Sequence, residues 1–353
     1  MTVIYIIVAI LVFGLIIMIH EAGHFFAAKA CGVKVNEFSI GMGPKIFSRQ
    51  KGETRYSIGL IPAGGYVSME GEDESSGDPR AFNRKPVWQR LIIICAGAFM
   101  NLVLGFVILL IVTSFSDAIT TTKVGGFLIE DAPSNLSGLQ AGDEIVRVNG
   151  LRVFCDTDIS YQFQLDEDRT FEMDVIRGGQ RVTLPAVHFD GRTTDDGTSG
   201  LIIDFYVVGD KVTPLSVISY SARKFVSVGR MIWLTLFDLL RGHYSINDLS
   251  GPVGIVGAIG EVVGSTAKGV KFGEMILDLM SFIVFITINV GIFNLLPIPA
   301  LDGARAFFLI IELIRRKPMK PEHEGIIHFV GFALLIGLML VVTVFDIMKL
   351  FKR

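Results

Sequence analysis

Four long apolar runs give the chain its order. Val3 to Ile19 is unbroken, meets His20, and continues to about Ala30. Leu91 to Val112 follows Arg84, Lys85 and Arg90. Met275 to Pro297 is interrupted only by Asp278, and Ile326 to Ile347 only by His328 and Asp346. About 20 apolar residues in a helix cross a hydrocarbon layer about 30 Å thick, so each run predicts a membrane helix. The first run is read as a retained helix. It has no charged n-region, it outlasts a signal peptide's apolar stretch, and no small-residue cleavage site follows it cleanly.

Between the second and third runs the pattern changes. From Lys123 to Val208 the composition turns ordinary and Asp-rich. Thr170 to Arg177 and Gln180 to Val187 flank Gly178-Gly179, a hairpin signal, and Val146 to Val148 closes on an Asn149-Gly150 turn. Pro214 to Leu240 mixes Arg223, Lys224 and Arg230 with Phe225, Trp233 and Phe237, which suits a helix on a membrane surface or an ordinary packing helix. The expected segments are 1–122 (first half of a membrane core), 123–208 (an inserted domain), 209–274 (an amphipathic surface segment) and 275–353 (second half of the core). The predicted fold class is a polytopic α-helical membrane protein of about four transmembrane helices with an inserted extracytoplasmic α+β domain.

Composition agrees with that picture. Apolar residues make up 51% of the 353, charged residues 19%, and the net charge is −3. These values exclude a disordered chain and a generally basic nucleic-acid binder. Cys31, Cys95 and Cys155 are scattered without a CxxC, which supports neither a disulfide scaffold nor a cysteine zinc site. Lysine and arginine set the orientation. Cys31 to Gln89 carries eight and Ala300 to Gly325 carries five, so both segments are expected in the cytoplasm, with Met1, residues 114–275 and the C-terminus outside. Lys349, Lys352 and Arg353 disagree, since they end the chain on the expected outer side.

The chemistry starts at His20-Glu21-Ala22-Gly23-His24, an HExxH sequence. Histidines at i and i+4 share one helix face and can take two corners of a tetrahedral zinc, with Glu21 beside them as general base. Polar groups at the end of an apolar helix are costly unless they line a polar cavity. A catalytic zinc needs a third ligand and an open position. His188 and His243 lie in the outer segment, His323 in a charged loop, and His328 at the start of the fourth run. Asp302 follows Asn294-Leu295-Leu296-Pro297-Ile298-Pro299-Ala300-Leu301 at the membrane depth of His20. It fits a third ligand, and it also fits a helix cap before Gly303.

With those residues in place, the chain resembles the site-2 protease family. HExxH closes its first membrane helix, and Asn294 to Gly303 matches the family's second motif. The inserted segment, with Leu139-Gln140-Ala141-Gly142-Asp143-Glu144-Ile145 and Val148-Asn149-Gly150, resembles a PDZ domain. That combination is similar to the bacterial RseP/RasP-like branch. Gly97-Ala98-Phe99-Met100-Asn101 and Ser250-Gly251-Pro252-Val253-Gly254-Ile255 look like further family patches.

The resemblance implies an intramembrane zinc metalloprotease in a bacterial plasma membrane. It would bind Zn2+ through His20, His24 and Asp302, use Glu21 as base, and handle substrate through Asn294 and Asn101. Asn101 could instead bond between helices. The implied partners are transmembrane substrates, such as anti-sigma factors or signal-peptide remnants, cut after a first extracytoplasmic cleavage. The active site would lie near the cytoplasmic face and the PDZ-like domain outside, with Val124-Gly125-Gly126-Phe127-Leu128 as its carboxylate loop. Phe38 to Met69 is Gly-rich, and Lys45 to Ser48 facing Tyr56 to Leu60 predicts a hairpin that could pair with unwound substrate. A metal transporter, a membrane receptor presenting a PDZ-like module and an anchored protease of soluble peptides are the competing readings.

Overall fold

The computed structural model describes residues 2–72, 76–165, 168–193, 199–242, 250–317 and 321–352. Met1, His243, Lys320 and Arg353 lie outside the described residues, as does the side chain of His323. Two compact units emerge: 1–108 with 238–353, and 109–237.

The first unit opens with α1 (Thr2–Ala30), followed by β1 (Val35–Lys51), β2 (Thr54–Met69) and α2 (Val87–Ser114). The β1–β2 register is compound. Residues 45–51 pair with 54–59 as the expected hairpin, turning at Gly52 with φ +63°, while residues 37–40 pair both with 55–58 and with 65–68. Such doubling back needs glycine where backbones meet: a Cβ on Gly59 would lie 2.5 Å from the Met42 carbonyl oxygen. Hydrogen bonds from Ser76, Asn36 and Lys34 hold the Glu70 carboxyl down at about 2, fastening the strap that leads to α2.

The second unit carries β3 (Ile119–Phe127), α3 (Pro133–Leu136), β4 (Glu144–Val148), β5 (Leu151–Arg152), α4 (Asp156–Leu165), β6 (Thr170–Arg177), β7 (Gln180–His188), β8 (Gly191–Thr193), β9 (Ser199–Leu201), β10 (Phe205–Asp210) and α5 (Pro214–Leu240). The main sheet runs β10-β3-β4-β6-β7, with β5 beside β4. Its core is Val124, Leu139, Ile145, Val148, Phe163, Phe171, Met173, Val187 and Phe189. The expected Gly178-Gly179 hairpin joins β6 to β7, with φ of +57° and +83°, and Asn149-Gly150 makes the β4–β5 turn at +47° and +76°.

Val124 to Leu128 is not the expected loop. Most of it is β3, and Phe127, Gly126 and Val124 pair with β10. Gly125 and Gly126 leave room for the Tyr206 side chain: a Cβ on Gly125 would meet its ring at 2.6 Å and one on Gly126 its hydroxyl at 2.7 Å. The glycines therefore read as a ring seat rather than a turn. Helix α5 buries Val217, Tyr220, Ser227, Val228 and Ile232 in this unit, and Arg230 reaches Asp158 at 2.6 Å. A second apolar stripe, Leu215, Ile218, Val226, Trp233 and Phe237, stays exposed.

The first unit resumes with α6 (Pro252–Gly264), α7 (Phe272–Asn294), α8 (Asp302–Arg315) and α9 (Pro321–Lys352). Among the described residues, four helices are long and apolar enough to cross a membrane: Val3–Ala30, Val87–Ser114, Phe272–Asn294 and Glu324–Lys349. Val12 and Ile16 of α1 pack on Ile286 of α7, whereas Leu11, Phe329 and Leu334 point outward, as apolar side chains do where the solvent is lipid. The lone acid of the fourth run also finds its place. Asp346 accepts the Gly251 and Gly254 backbone N–H groups at 2.9 and 2.8 Å, capping α6 from across the fold.

Candidate metal centre

His20 and His24 share one face of α1, as their spacing requires, and are 9% and 7% exposed. Their Nε2 atoms lie 3.2 Å apart. Asp302 Oδ2 lies 3.0 Å from His20 Nε2 and 3.2 Å from His24 Nε2. Three donors about 2.0–2.1 Å from a tetrahedral ion stand about 3.3 Å from one another, so the triangle fits one small cation. Among the described residues these three form the candidate metal cluster. Two further observations fit a metal. Asp302 Oδ2 is buried with no hydrogen-bond partner. His24 Nδ1 lies 2.8 Å from the Ile93 carbonyl, which can only accept, so in the neutral imidazole Nε2 carries the lone pair.

Close backbones bring the triad together. A Cβ on Gly23 would lie 2.3 Å from the Ala96 carbonyl oxygen, and one on Gly97 2.3 Å from His24 Nε2 and 2.8 Å from His20 Nε2. Both positions must be glycine for α1 to meet α2 at this distance. Asp302 arrives on α8, which three ties hold. Arg90 of α2 grips Glu312 with two hydrogen bonds at 3.1 and 2.5 Å, and Arg305 reaches Glu72 at 2.5 Å. Gly303 lies against the Leu295–Leu296 backbone, where a Cβ would come within 2.1 Å of the Leu296 carbonyl oxygen. Ala300, at φ +77°, makes the bend before Asp302 and donates its N–H to His328 Nδ1 at 3.1 Å. The N-cap of α8 is Leu301, with no side-chain cap bond, so Asp302 opens the helix without capping it.

Glu21 follows His20 in α1 and touches the β2 strand. The Val67 backbone N–H hydrogen-bonds its carboxylate, and a Cβ on Gly65 would lie 3.1 Å from Glu21 Cγ. A carboxylate next to the candidate metal triad in sequence and anchored by a backbone N–H is of the kind that can transfer protons.

A family model for peptidase family M50 matches residues 8–338. The chain belongs to this family. A Clostridium acetobutylicum protein provisionally named a zinc metalloprotease is 38% identical over 345 residues, covering 97% of each chain. The zinc metalloprotease RasP of Bacillus licheniformis is 33% identical and the regulator of sigma-W protease RasP of Bacillus subtilis 32%, each over 97% of this chain and 98% of its own. An M50 protein of this kind is a site-2 type zinc metalloprotease carried on membrane helices.

The two asparagines differ. Asn101 is fully buried on α2, with Nδ2 3.3 Å from His20 Nδ1. Asn294 ends α7 half-buried and bonds to none of His20, Glu21, His24 and Asp302. Ile93, Gly97, Val67 and His328 complete the surroundings of the candidate site, and of these Gly97, in its patch with Asn101, and His328, at the start of the fourth run, already stand out in the sequence. Ile93 and Val67 act through backbone groups, Gly97 acts by lacking a side chain, and His328 acts on a loop.

Proposed function

We propose that this M50 protease cuts single-span membrane proteins within or near the bilayer, after a first cleavage has trimmed their outer part. Substrates of the anti-sigma or signal-peptide-remnant class fit this reading. The observation that carries it is the triangle of His20 Nε2, His24 Nε2 and Asp302 Oδ2 at 3.0–3.2 Å on the end of an apolar membrane helix. A soluble-peptide protease has no need to carry its site on such a helix.

In this reading His20, His24 and Asp302 hold zinc. Zinc held there would supply Lewis-acid activation of the scissile carbonyl and of the attacking water. Glu21 takes the proton of the attacking water and passes it to the leaving amine. The bond from Val67 N–H keeps that carboxylate turned toward the sheet side of the site. A substrate helix must unwind locally before cleavage, because its peptide groups are otherwise engaged. The strand around Gly65 to Val67 runs beside Glu21, so a segment laid along it by strand addition would bring a peptide bond to the base. Asn294, half-buried where α7 ends, is the proposed contact for that extended segment.

The site is assigned to the cytoplasmic side on the lysine and arginine count, and the β-rich unit to the outer side as a PDZ-like filter. Replacing residues 123–208 by a short flexible linker should leave cleavage of a pre-trimmed substrate intact and admit an untrimmed one. Loss of trimmed-substrate cleavage in a folded, zinc-loaded protein would make the unit a docking site instead.

The direct test is Glu21→Gln in purified protein, with a membrane-span substrate and an unstructured soluble peptide. The variant should keep its zinc and lose about 10²–10⁴-fold of turnover on the span. Retention of more than a tenth of wild-type turnover removes Glu21 as the base. Equal wild-type cleavage of the soluble peptide removes the intramembrane substrate class.

A further inference from the structure

We infer that Asn101 is a positioning residue for the metal site: its side-chain oxygen takes the Nδ1 proton of His20 and so presents a bare Nε2 to the metal. The inference rests on the reading of His20, His24 and Asp302 as zinc ligands.

His24 sets the pattern. Its Nδ1–H is taken by the Ile93 carbonyl, a group that can only accept, so its Nε2 is free to ligate. His20 needs an equivalent acceptor, and the atoms near its Nδ1 belong to Asn101, with Nδ2 at 3.3 Å. If that amide donates, Nδ1 must accept, and the single proton of a neutral imidazole sits on Nε2. Nε2 is the atom 3.0 Å from Asp302 Oδ2 and 3.2 Å from His24 Nε2, where a proton would block ligation. Asn101 Oδ1, meanwhile, is buried without any partner. Half a turn of the amide exchanges oxygen and NH2 with no change of shape. Oδ1 then accepts from Nδ1–H, Nε2 is released, and the NH2 takes the unpartnered place.

The setting supports positioning over contact with substrate. Asn101 is 0% exposed, so no face remains for a peptide. Its backbone carbonyl accepts from Thr287 Oγ1 of α7 at 3.3 Å. Gly97 and Gly105, one turn to either side, lie against the histidines and against Thr287–Ile288. The helix face that bears Asn101 is thus wedged at both ends, and the amide has one place to go.

The test is the zinc dissociation constant of the purified full chain, by competition with a chelator of known affinity, for wild type, Asn101→Leu, Asn101→Asp and Thr287→Val. Asn101→Leu keeps the shape and removes the acceptor, and should weaken zinc about 10–100-fold. Asn101→Asp can only accept, and should hold zinc within about threefold of wild type or more tightly. Thr287→Val removes the helix–helix bond alone and should leave zinc unchanged. Asn101→Leu binding zinc like wild type overturns the inference, and so does Asn101→Asp binding as weakly as Asn101→Leu. Should Asn101→Leu not fold, Asn101→Asp decides alone: a tenfold loss means the amide donates. Wild-type protein without zinc is a different failure, that of the metal site itself.

Discussion

Buried carboxylates meet two fates in this chain. In the β-rich unit each is saturated. Asp158, 2% exposed, accepts from Arg230, Ser227 and the backbone N–H groups of Phe154 and Cys155. Asp143 takes two hydrogen bonds from Arg177, at 2.8 and 2.7 Å, and one from Gln140 N–H. Asp204 takes the N–H and hydroxyl of Ser134. In the helical unit Asp302 Oδ2 is buried with no hydrogen-bond partner, although two imidazole nitrogens stand 3.0 and 3.2 Å away. An unpaired buried acceptor costs about 1–3 kcal/mol. A fold keeps such a group where it serves a ligand, and two imidazole nitrogens facing a carboxylate oxygen suit a cation. In the reading proposed above, saturation marks the structural acids and its lack marks the metal ligand.

The comparison can be broken in three places. The largest effect is expected at the helix contact. Gly97→Ala puts a Cβ within 2.3 Å of His24 Nε2, so zinc binding and cleavage should both be lost while the β-rich unit stays folded. Zinc content and near-ultraviolet circular dichroism together check this. Next, Asp158→Ala strands Arg230 and two backbone donors. It should cost about 3 kcal/mol, the low end of the range because Arg230 keeps 25% of its side chain exposed, and leave zinc in place. Thermal melting with metal analysis reads both. The smallest effect is the most discriminating. In zinc-free protein Asp302→Asn should cost clearly less than Asp158→Ala, since it disturbs the His20 and His24 rings at 3.0 and 3.2 Å but strands no arginine or backbone donor. A large destabilisation would make Asp302 one more structural acid.

The spans and the histidine pair are legible in the sequence. The four spans are visible because a membrane helix needs an apolar run of fixed length, and HExxH because two ligands one turn apart need that spacing. Asp302 stands out in the sequence only together with the demand for a third ligand, since its local context also suits a cap. The remaining signals were weaker. The Ile93 carbonyl and the Val67 N–H belong to residues whose side chains say nothing of the site. Gly125-Gly126 looked like a loop because sequence does not show the Tyr206 ring that fills the space. Asp346 stood out as an acid in an apolar run, but its partners, Gly251 and Gly254, lie more than ninety residues away.

The most direct test of the central claim is the zinc content of purified wild-type, Asp302→Asn and Asp158→Asn protein, prepared side by side. The account predicts about one zinc per chain in wild type and in Asp158→Asn, and a loss of most of it in Asp302→Asn. Equal zinc in Asp302→Asn and wild type would contradict it, because the unpartnered carboxylate would then have no part in holding the metal.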